Sequence, residues 1–197
     1  MKAIITSFAI IFCSYLSFCQ VGKGNMNNIT QPNNASNVAP APETLEKKFP
    51  YNVALKTLDD ELVNSAKVLS SKKKRPVLLS FWLTTCAPCR RELAIYNTQY
   101  ADWKKELNFE LYAISIDFEQ NYPNVIKMAK EANWPFPVYY DFNRSFRDIM
   151  PGELNGLPQI FIISPDGEIF YHKKGFTPGD EAGIFEKLKE AALVKAK

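Results

Sequence analysis

The chain has 197 residues, of which 46% are hydrophobic, 13% aromatic and 23% charged, with a formal net charge of +3 that falls to +2 without Lys2. So mild a charge gives no electrostatic reason to expect a nucleic-acid partner. With four cysteines and one histidine, the sequence offers no second cysteine pair or histidine cluster to complete the four ligands a structural zinc site needs, so no metal is expected.

Residues 1–19 read as a signal peptide: Lys2, an apolar run over residues 3–18, then Cys19-Gln20. Cleavage near Ser17-Phe18-Cys19 removes Cys13 and Cys19 and leaves Cys86 and Cys89 as the only thiols. The alternatives are an uncleaved anchor, for which the run falls short of the ~20 apolar residues of a spanning helix, and a lipoprotein acylated at Cys19, for which Phe18 is bulky. A mature protein with one dithiol and no spare thiol suits an oxidising compartment, so a periplasmic or secreted location is expected, with membrane tethering the variant. Residues 20–47 are rich in Asn, Pro, Ala, Gly and Ser and read as a disordered linker carrying the sequons Asn28-Ile29-Thr30 and Asn34-Ala35-Ser36. Residues 48–197 form one domain, long enough for an adequate core.

Within it, residues 52–58 read as a strand, Asp59-Asp60 as a turn and Leu62-Val63 as a short return. Lys72-Lys73-Lys74-Arg75 is a solvated loop before a nearly unbroken apolar run at residues 77–83, which suits a strand covered on both faces. Leu93, Tyr96, Tyr100, Trp103 and Leu107 then recur at helical steps. Residues 110–116 form a second apolar strand, 124–132 a helix, 137–140 an extended piece and 145–149 a short helix. Residues 159–163 and 168–173 make a hairpin around Pro165-Asp166-Gly167, and Thr177-Pro178-Gly179-Asp180 opens a closing helix with Thr177 as cap and Pro178 at its first position. Strand and helix alternate, then a hairpin and a helix finish: an α/β domain with a mixed central β-sheet flanked by helices on both faces.

The chemistry sits where the 77–83 strand meets the next helix, at Cys86-Ala87-Pro88-Cys89. Cys86 falls at or near the helix N-cap, where the positive end of the macrodipole and unpaired N–H groups favour a thiolate. Pro88 has no N–H, so the donor left for a capping sulfur is that of Cys89. Cys86 is therefore the expected nucleophile and Cys89, one turn deeper, the thiol that resolves a mixed disulfide. As a structural bridge the pair adds little, because so short a loop has little entropy to lose. A peroxidatic site calls for threonine or serine three residues before the cysteine and proline further upstream, where Leu83 and Leu79 stand.

The strand-to-Cys-X-X-Cys-to-helix block resembles the TlpA/ResA-like branch of the thioredoxin superfamily. So do Val53-Ala54-Leu55-Lys56-Thr57-Leu58-Asp59 and Gly156-Leu157-Pro158-Gln159-Ile160-Phe161-Ile162-Ile163, the latter followed by Pro165-Asp166-Gly167. The resemblance implies a thioredoxin fold with an N-terminal β-hairpin extension and a cis bond before Pro158, where the exposed backbone of Leu157 is free to pair with an extended substrate. It places Trp82, Thr85, Ala87, Pro88 and Leu157 at the substrate surface, although Thr85 stands where the family most often has tryptophan. Ser80 replaces the buried aspartate of the thioredoxins themselves, and the resemblance offers an acid near the end of the next strand in that role: Asp117, with Glu119 close behind. His172 has no motif partner and reads as structural.

The function expected from this is an extracytoplasmic, monomeric thiol–disulfide oxidoreductase that acts mainly as a reductant, with no cofactor beyond the Cys86–Cys89 pair. The resemblance implies a membrane-embedded thiol carrier as electron donor and oxidised protein thiols as substrates, with apocytochrome c, other envelope proteins or the cysteines of a copper site as candidates. The competing class is a Cu(I)-handling chaperone using the two thiolates as soft ligands.

Overall fold

The computed structural model describes residues 49–70 and 74–195. The signal segment, the linker with its sequons, and Lys72 and Lys73 of the basic run lie outside the described residues.

The apolar run after Arg75 forms strand β3 (Val77–Trp82), in which all six residues are buried. A strand with no solvated face needs neighbours on both edges and layers on both sides. β3 has both edges filled, running parallel to β4 (Glu110–Ser115) and antiparallel to β6 (Gln159–Ile163). The seven-stranded sheet has the order β2-β1-β5-β4-β3-β6-β7, completed by β1 (Ala54–Lys56), β2 (Leu62–Asn64), β5 (Val138–Tyr140) and β7 (Ile169–Lys174). The β1–β2 hairpin joins β5 through Lys56 opposite Tyr140, and Tyr122 Oη donates to the Thr57 carbonyl at 2.6 Å to hold it there.

Side-chain alternation along β3 sorts the core into two layers. Leu78 and Trp82 pack with Leu93, Tyr96, Leu111, Ile160, Ile162, Ile184 and Leu188, beneath α2 (Ala87–Glu106), α3 (Tyr122–Glu131) and α5 (Asp180–Ala192). Val77, Leu79 and Phe81 point the other way, against Leu55, Leu69, Ile114, Phe146, Met150 and Phe161, beneath α1 (Ser65–Val68) and α4 (Phe146–Ile149). Ser80, between them and wholly buried, falls on the α2 side, because it shares the phase of Leu78 and Trp82.

The mixed sheet, the flanking helices and the N-terminal hairpin match the expected architecture; several local readings do not. The first strand is only Ala54–Lys56, because the Val53 N–H turns to Ser65 Oγ at 2.8 Å and Thr57 enters the turn. The four-residue α1 and the 3₁₀ turns Glu119–Asn121 and Pro151–Leu154 are too short to leave a periodic signature. Arg75 is ion-paired with Glu110 rather than freely solvated. The closing helix begins two residues later than expected, with Gly179 (φ 106°) as its cap. There the capping relation is inverted: the Thr177 N–H donates to Asp180 Oδ2 at 2.7 Å, across a turn that Pro178 and Gly179 make.

Leu78 has no accessible surface and packs into the helix-covered layer from β3, an interior strand of the sheet. Leu78→Ala is expected to cost about 2–5 kcal/mol, seen as a lower urea midpoint with an unchanged m-value. A loss below about 1 kcal/mol would show that this layer is loosely packed.

Candidate active site

The site is built at the junction of β3 and α2. Cys86 is the helix N-cap, with extended backbone (φ −82°, ψ 101°), and its Sγ accepts from the Cys89 N–H at 3.2 Å. Pro88 occupies the first turn, where its missing N–H costs nothing. Cys86 is half-buried and Cys89 wholly buried, so a reagent from solvent meets Cys86 first. The two sulfurs are joined in a disulfide.

The turn leading into the cap is fastened from the next strand. Asp117, at the end of β4 and buried, accepts from the Thr84 N–H, Thr84 Oγ1 and Ser115 Oγ, each at 2.8 Å. Arg90 Nη1 donates to the Thr84 carbonyl from the helix side at 3.2 Å, and the Cys86 N–H donates to the Leu83 carbonyl at 3.1 Å. Asp117 is thus an internal clamp on Thr84, two residues before Cys86, and not the solvent-exposed strand-end carboxylate that such a residue would ordinarily be. Glu119 is exposed at the start of the following 3₁₀ turn, and no contact ties it to the dithiol.

A second buried carboxyl was not expected. Glu92 is 1% exposed and lies one helical turn beyond Cys89 on the same buried stripe. Tyr96 Oη donates to its Oε1 at 2.7 Å and Ser80 Oγ to its Oε2 at 3.4 Å. Burial pushes its pKa from the ordinary 4.5 up to about 7, against the opposing pull of those two hydrogen bonds. Where the resemblance leaves Ser80 in place of an aspartate on the strand, a carboxyl therefore reaches the same spot from the helix. The signal was present in the spacing: position 92 is three after Cys89 and four before Tyr96.

The loop before β6 completes the site. The Leu157–Pro158 bond is cis, and the backbone of Leu157 is unpaired among the described residues. Gln159 braces this loop, its Nε2 donating to the Gly156 carbonyl at 2.9 Å and the Asn155 carbonyl at 3.2 Å. His172 holds Gln159 in turn, with Nε2 2.8 Å from Oε1 and its ring stacked on Phe161. Burial lowers the His172 pKa, as does Lys174 nearby, so a neutral ring in a supporting position is consistent with the structural reading. Gly156 (φ 77°) lies directly under Lys174, whose Cε would be 2.7 Å from any Cβ placed there.

Of the residues expected at the substrate surface, Thr85 and Ala87 are exposed, and Pro88 and Leu157 half-buried. Cys86, Thr85, Leu157 and Gly156 line one groove of about 310 Å³. Trp82 is a correction: it has no accessible surface and packs edge-on against Trp134, because its phase in β3 turns it into the α2 layer. Among the described residues no cluster of three or more His, Cys, Asp or Glu is arranged to hold a metal, and no helix is long and apolar enough to cross a membrane.

A mixed sheet whose central strand feeds a Cys-capped helix, with a cis-proline loop in the same groove, defines a thioredoxin-fold dithiol protein. The chain belongs to the AhpC/TSA family, which matches residues 45–172. It is 32% identical over 115 residues to the thiol-disulfide oxidoreductase ResA of Oceanobacillus iheyensis, covering 58% of this chain and 57% of that one. It is 31% identical over 101 residues to ResA of Bacillus subtilis, covering 51% and 54%. The match thus spans a little over half the length of these curated relatives. Among solved structures, a thioredoxin-like protein from Porphyromonas gingivalis is 34% identical with a TM-score of 0.61, covering 72% of this chain and 90% of that one. StoA from Bacillus subtilis, at 20% identity and a TM-score of 0.54, with 71% and 98% covered, shares the fold.

Because folded Glu92 keeps its proton to about pH 7 while the unfolded chain releases it near 4.5, the folded state binds more protons in between. Stability from this group is full below that window and falls by on the order of 3 kcal/mol as pH rises through it. Glu92→Gln is expected to gain on wild type from pH 4.5 to 7 and hold that advantage above, in denaturant melts of the oxidised protein. Asp141, also raised by burial to about 6, contributes equally to both proteins. A pH-independent difference would mean that Glu92 is already ionised in the fold.

Proposed function

We propose that this chain is a thiol–disulfide oxidoreductase acting outside the cytoplasm, mainly to reduce protein disulfides, with the Cys86–Cys89 pair as its redox group and no added cofactor. The observation that carries the reading is the asymmetry of the pair: a half-buried cysteine on a helix N-cap, with its disulfide partner wholly buried. The names of the ResA relatives support it.

In the reduced protein the Cys86 thiolate, stabilised by the cap N–H and the helix dipole, attacks one sulfur of a substrate disulfide. A mixed disulfide forms and the first substrate thiolate leaves. Cys89 then gives up its proton and attacks Cys86 Sγ, releasing the second thiolate and closing the Cys86–Cys89 bond. Two electrons pass to the substrate, whose thiolates take up two protons. Burial makes the Cys89 proton hard to lose, and Glu92 is the group placed to receive it, since its pKa of about 7 leaves it partly ionised at neutral pH. Asp117, already accepting from three donors, is better placed to hold the Thr84 turn.

The direction follows from the Ala87-Pro88 pair, close to the Gly-Pro of reducing thioredoxins, where oxidants of the superfamily tend to carry histidine. A reductant outside the cytoplasm needs a supply of electrons, so a membrane thiol carrier is the proposed donor. Apocytochrome c cysteines and other oxidised envelope thiols are the proposed acceptors.

Cys86→Ser is expected to abolish reduction of a model disulfide, whereas Cys89→Ser still attacks and stalls as a mixed disulfide visible by mass spectrometry. The reduction potential of the wild-type pair is expected near the thioredoxin value of about −270 mV. A value near about −120 mV would reverse the direction of catalysis, and full activity in Cys86→Ser would sink the dithiol mechanism.

A further inference from the structure

The groove on the cis-proline side of Cys86 has a charge pattern that neither the fold nor the exchange chemistry requires. Its floor is apolar, formed by Leu83, Ile116, Leu154 and Leu157, and one wall carries Arg144 and Arg147; no carboxylate lines it.

Arg144 is held there by a built turn. Its backbone is left-handed (φ 56°), a conformation uncommon for a side-chain-bearing residue, and its N–H donates to the Asp141 carbonyl at 2.9 Å. Asp141 is wholly buried, and its carboxylate accepts from the Ser145 N–H at 3.0 Å and the Phe146 N–H at 2.8 Å, which locks the turn. The guanidinium lies 4.0 Å from the centroid of Phe118, an exposed ring that follows Asp117. The Arg144 Nε is buried without a hydrogen-bond partner. Arg147 sits one turn on, with Nη2 3.1 Å from Asn155 Oδ1 and Nε 3.5 Å from the Glu153 carbonyl.

Neither arginine is in an ion pair among the described residues. The nearest acids are otherwise engaged or outside the groove: Asp117 and Asp141 attract Arg144 but are buried and hydrogen-bonded, and Asp148 and Glu153 line an adjoining depression together with Asn143, Arg144 and Arg147, without an ion pair to either arginine. On the other side of Thr85, a groove of about 390 Å³ carries Arg90 and Lys127, the latter 3.9 Å from Glu131. Cations therefore flank the nucleophile on both sides, and on the cis-proline side no carboxylate in the groove offsets them.

We infer that the substrate disulfides are those in extended segments bearing an acidic side chain close to the attacked cysteine, with the carboxylate received by Arg144 and Arg147. This rests on the oxidoreductase reading and names its substrate class. A guanidinium lying over the Phe118 ring is fixed in place, which suits a carboxylate better than a mobile ammonium would. The preference also has a chemical use. An acidic neighbour repels an incoming thiolate and holds a departing one back, so free thiols reduce such disulfides slowly; two arginines beside Cys86 offset both effects.

The test uses three peptides with the same internal disulfide, flanked by Glu, Gln or Lys, and the reduced protein in excess. Wild type is expected to reduce the Glu peptide about fivefold faster than the Gln peptide, the size of an exposed ion pair, and this ratio shrinks toward one in high salt. Arg144→Gln/Arg147→Gln brings the ratio to about one, and Arg147→Glu, which leaves the locked turn intact, turns the preference toward the Lys peptide. A wild-type ratio of one, or the same ratio in wild type and Arg147→Glu, overturns the inference while leaving the oxidoreductase reading standing. Fluorescence anisotropy with the corresponding peptides carrying serine for cysteine separates the converse case. Preferential binding of the Glu peptide with no reduction of any peptide would sink the oxidoreductase reading and keep the acidic docking site.

Discussion

A helix must leave its first N–H groups without intrahelical partners, and in this protein one of them is answered by sulfur. That single contact, from the Cys89 N–H to Cys86 Sγ, needs the whole neighbourhood to be rigid. The strand that delivers Cys86 is buried over its full length, the turn after it is clamped by Asp117 and Arg90, and Pro88 stiffens the first helical turn. The sheet order places β3 at the junction between parallel and antiparallel pairing, so its carboxyl end opens beside the loop that enters β6. Packing and the placement of the dithiol are therefore one constraint: loosening β3 would also move Cys86.

The two cysteines live in opposed electrostatic settings a few residues apart. Cys86 caps the positive end of the helix dipole and shares a groove with Arg144 and Arg147, all of which favour negative charge. Cys89 is wholly buried, one helical turn from a buried carboxyl, and burial disfavours charge there. The difference in reactivity needs no difference in covalent chemistry. It comes from which side of one helical turn each sulfur occupies.

Much of this was legible in the residues. An apolar run without polar interruption forecast a fully covered strand, and the proline between the cysteines identified the only N–H able to meet the sulfur. What escaped reading depends on tertiary direction. The resemblance placed Trp82 at the substrate surface, but a strand covered on both faces leaves it no way out, and its phase only selects the α2 layer. Glu92 drew no reading, because the helix stripe was followed through the apolar residues Leu93 and Tyr96 and a carboxyl three residues after Cys89 lies outside such a pattern. Arg144 owes its position to a left-handed backbone and to a buried aspartate three residues earlier, and no local pattern of side-chain types announces either. The Thr177 cap failed for the converse reason, since Pro178 and Gly179 satisfied a turn before a helix began.

The outer strands of the sheet bear on how a substrate finds its place. β2 is only three residues long, and β7 ends in Lys173 and Lys174. Short or cationic margins are poor templates for a foreign strand. An incoming extended chain that seeks backbone partners is thus turned away from both margins of the sheet. The unpaired peptide at Leu157 remains open to it, in the groove that holds Cys86. Sheet margins that resist edge pairing and a free peptide at Leu157 are, in this architecture, the same arrangement of strands.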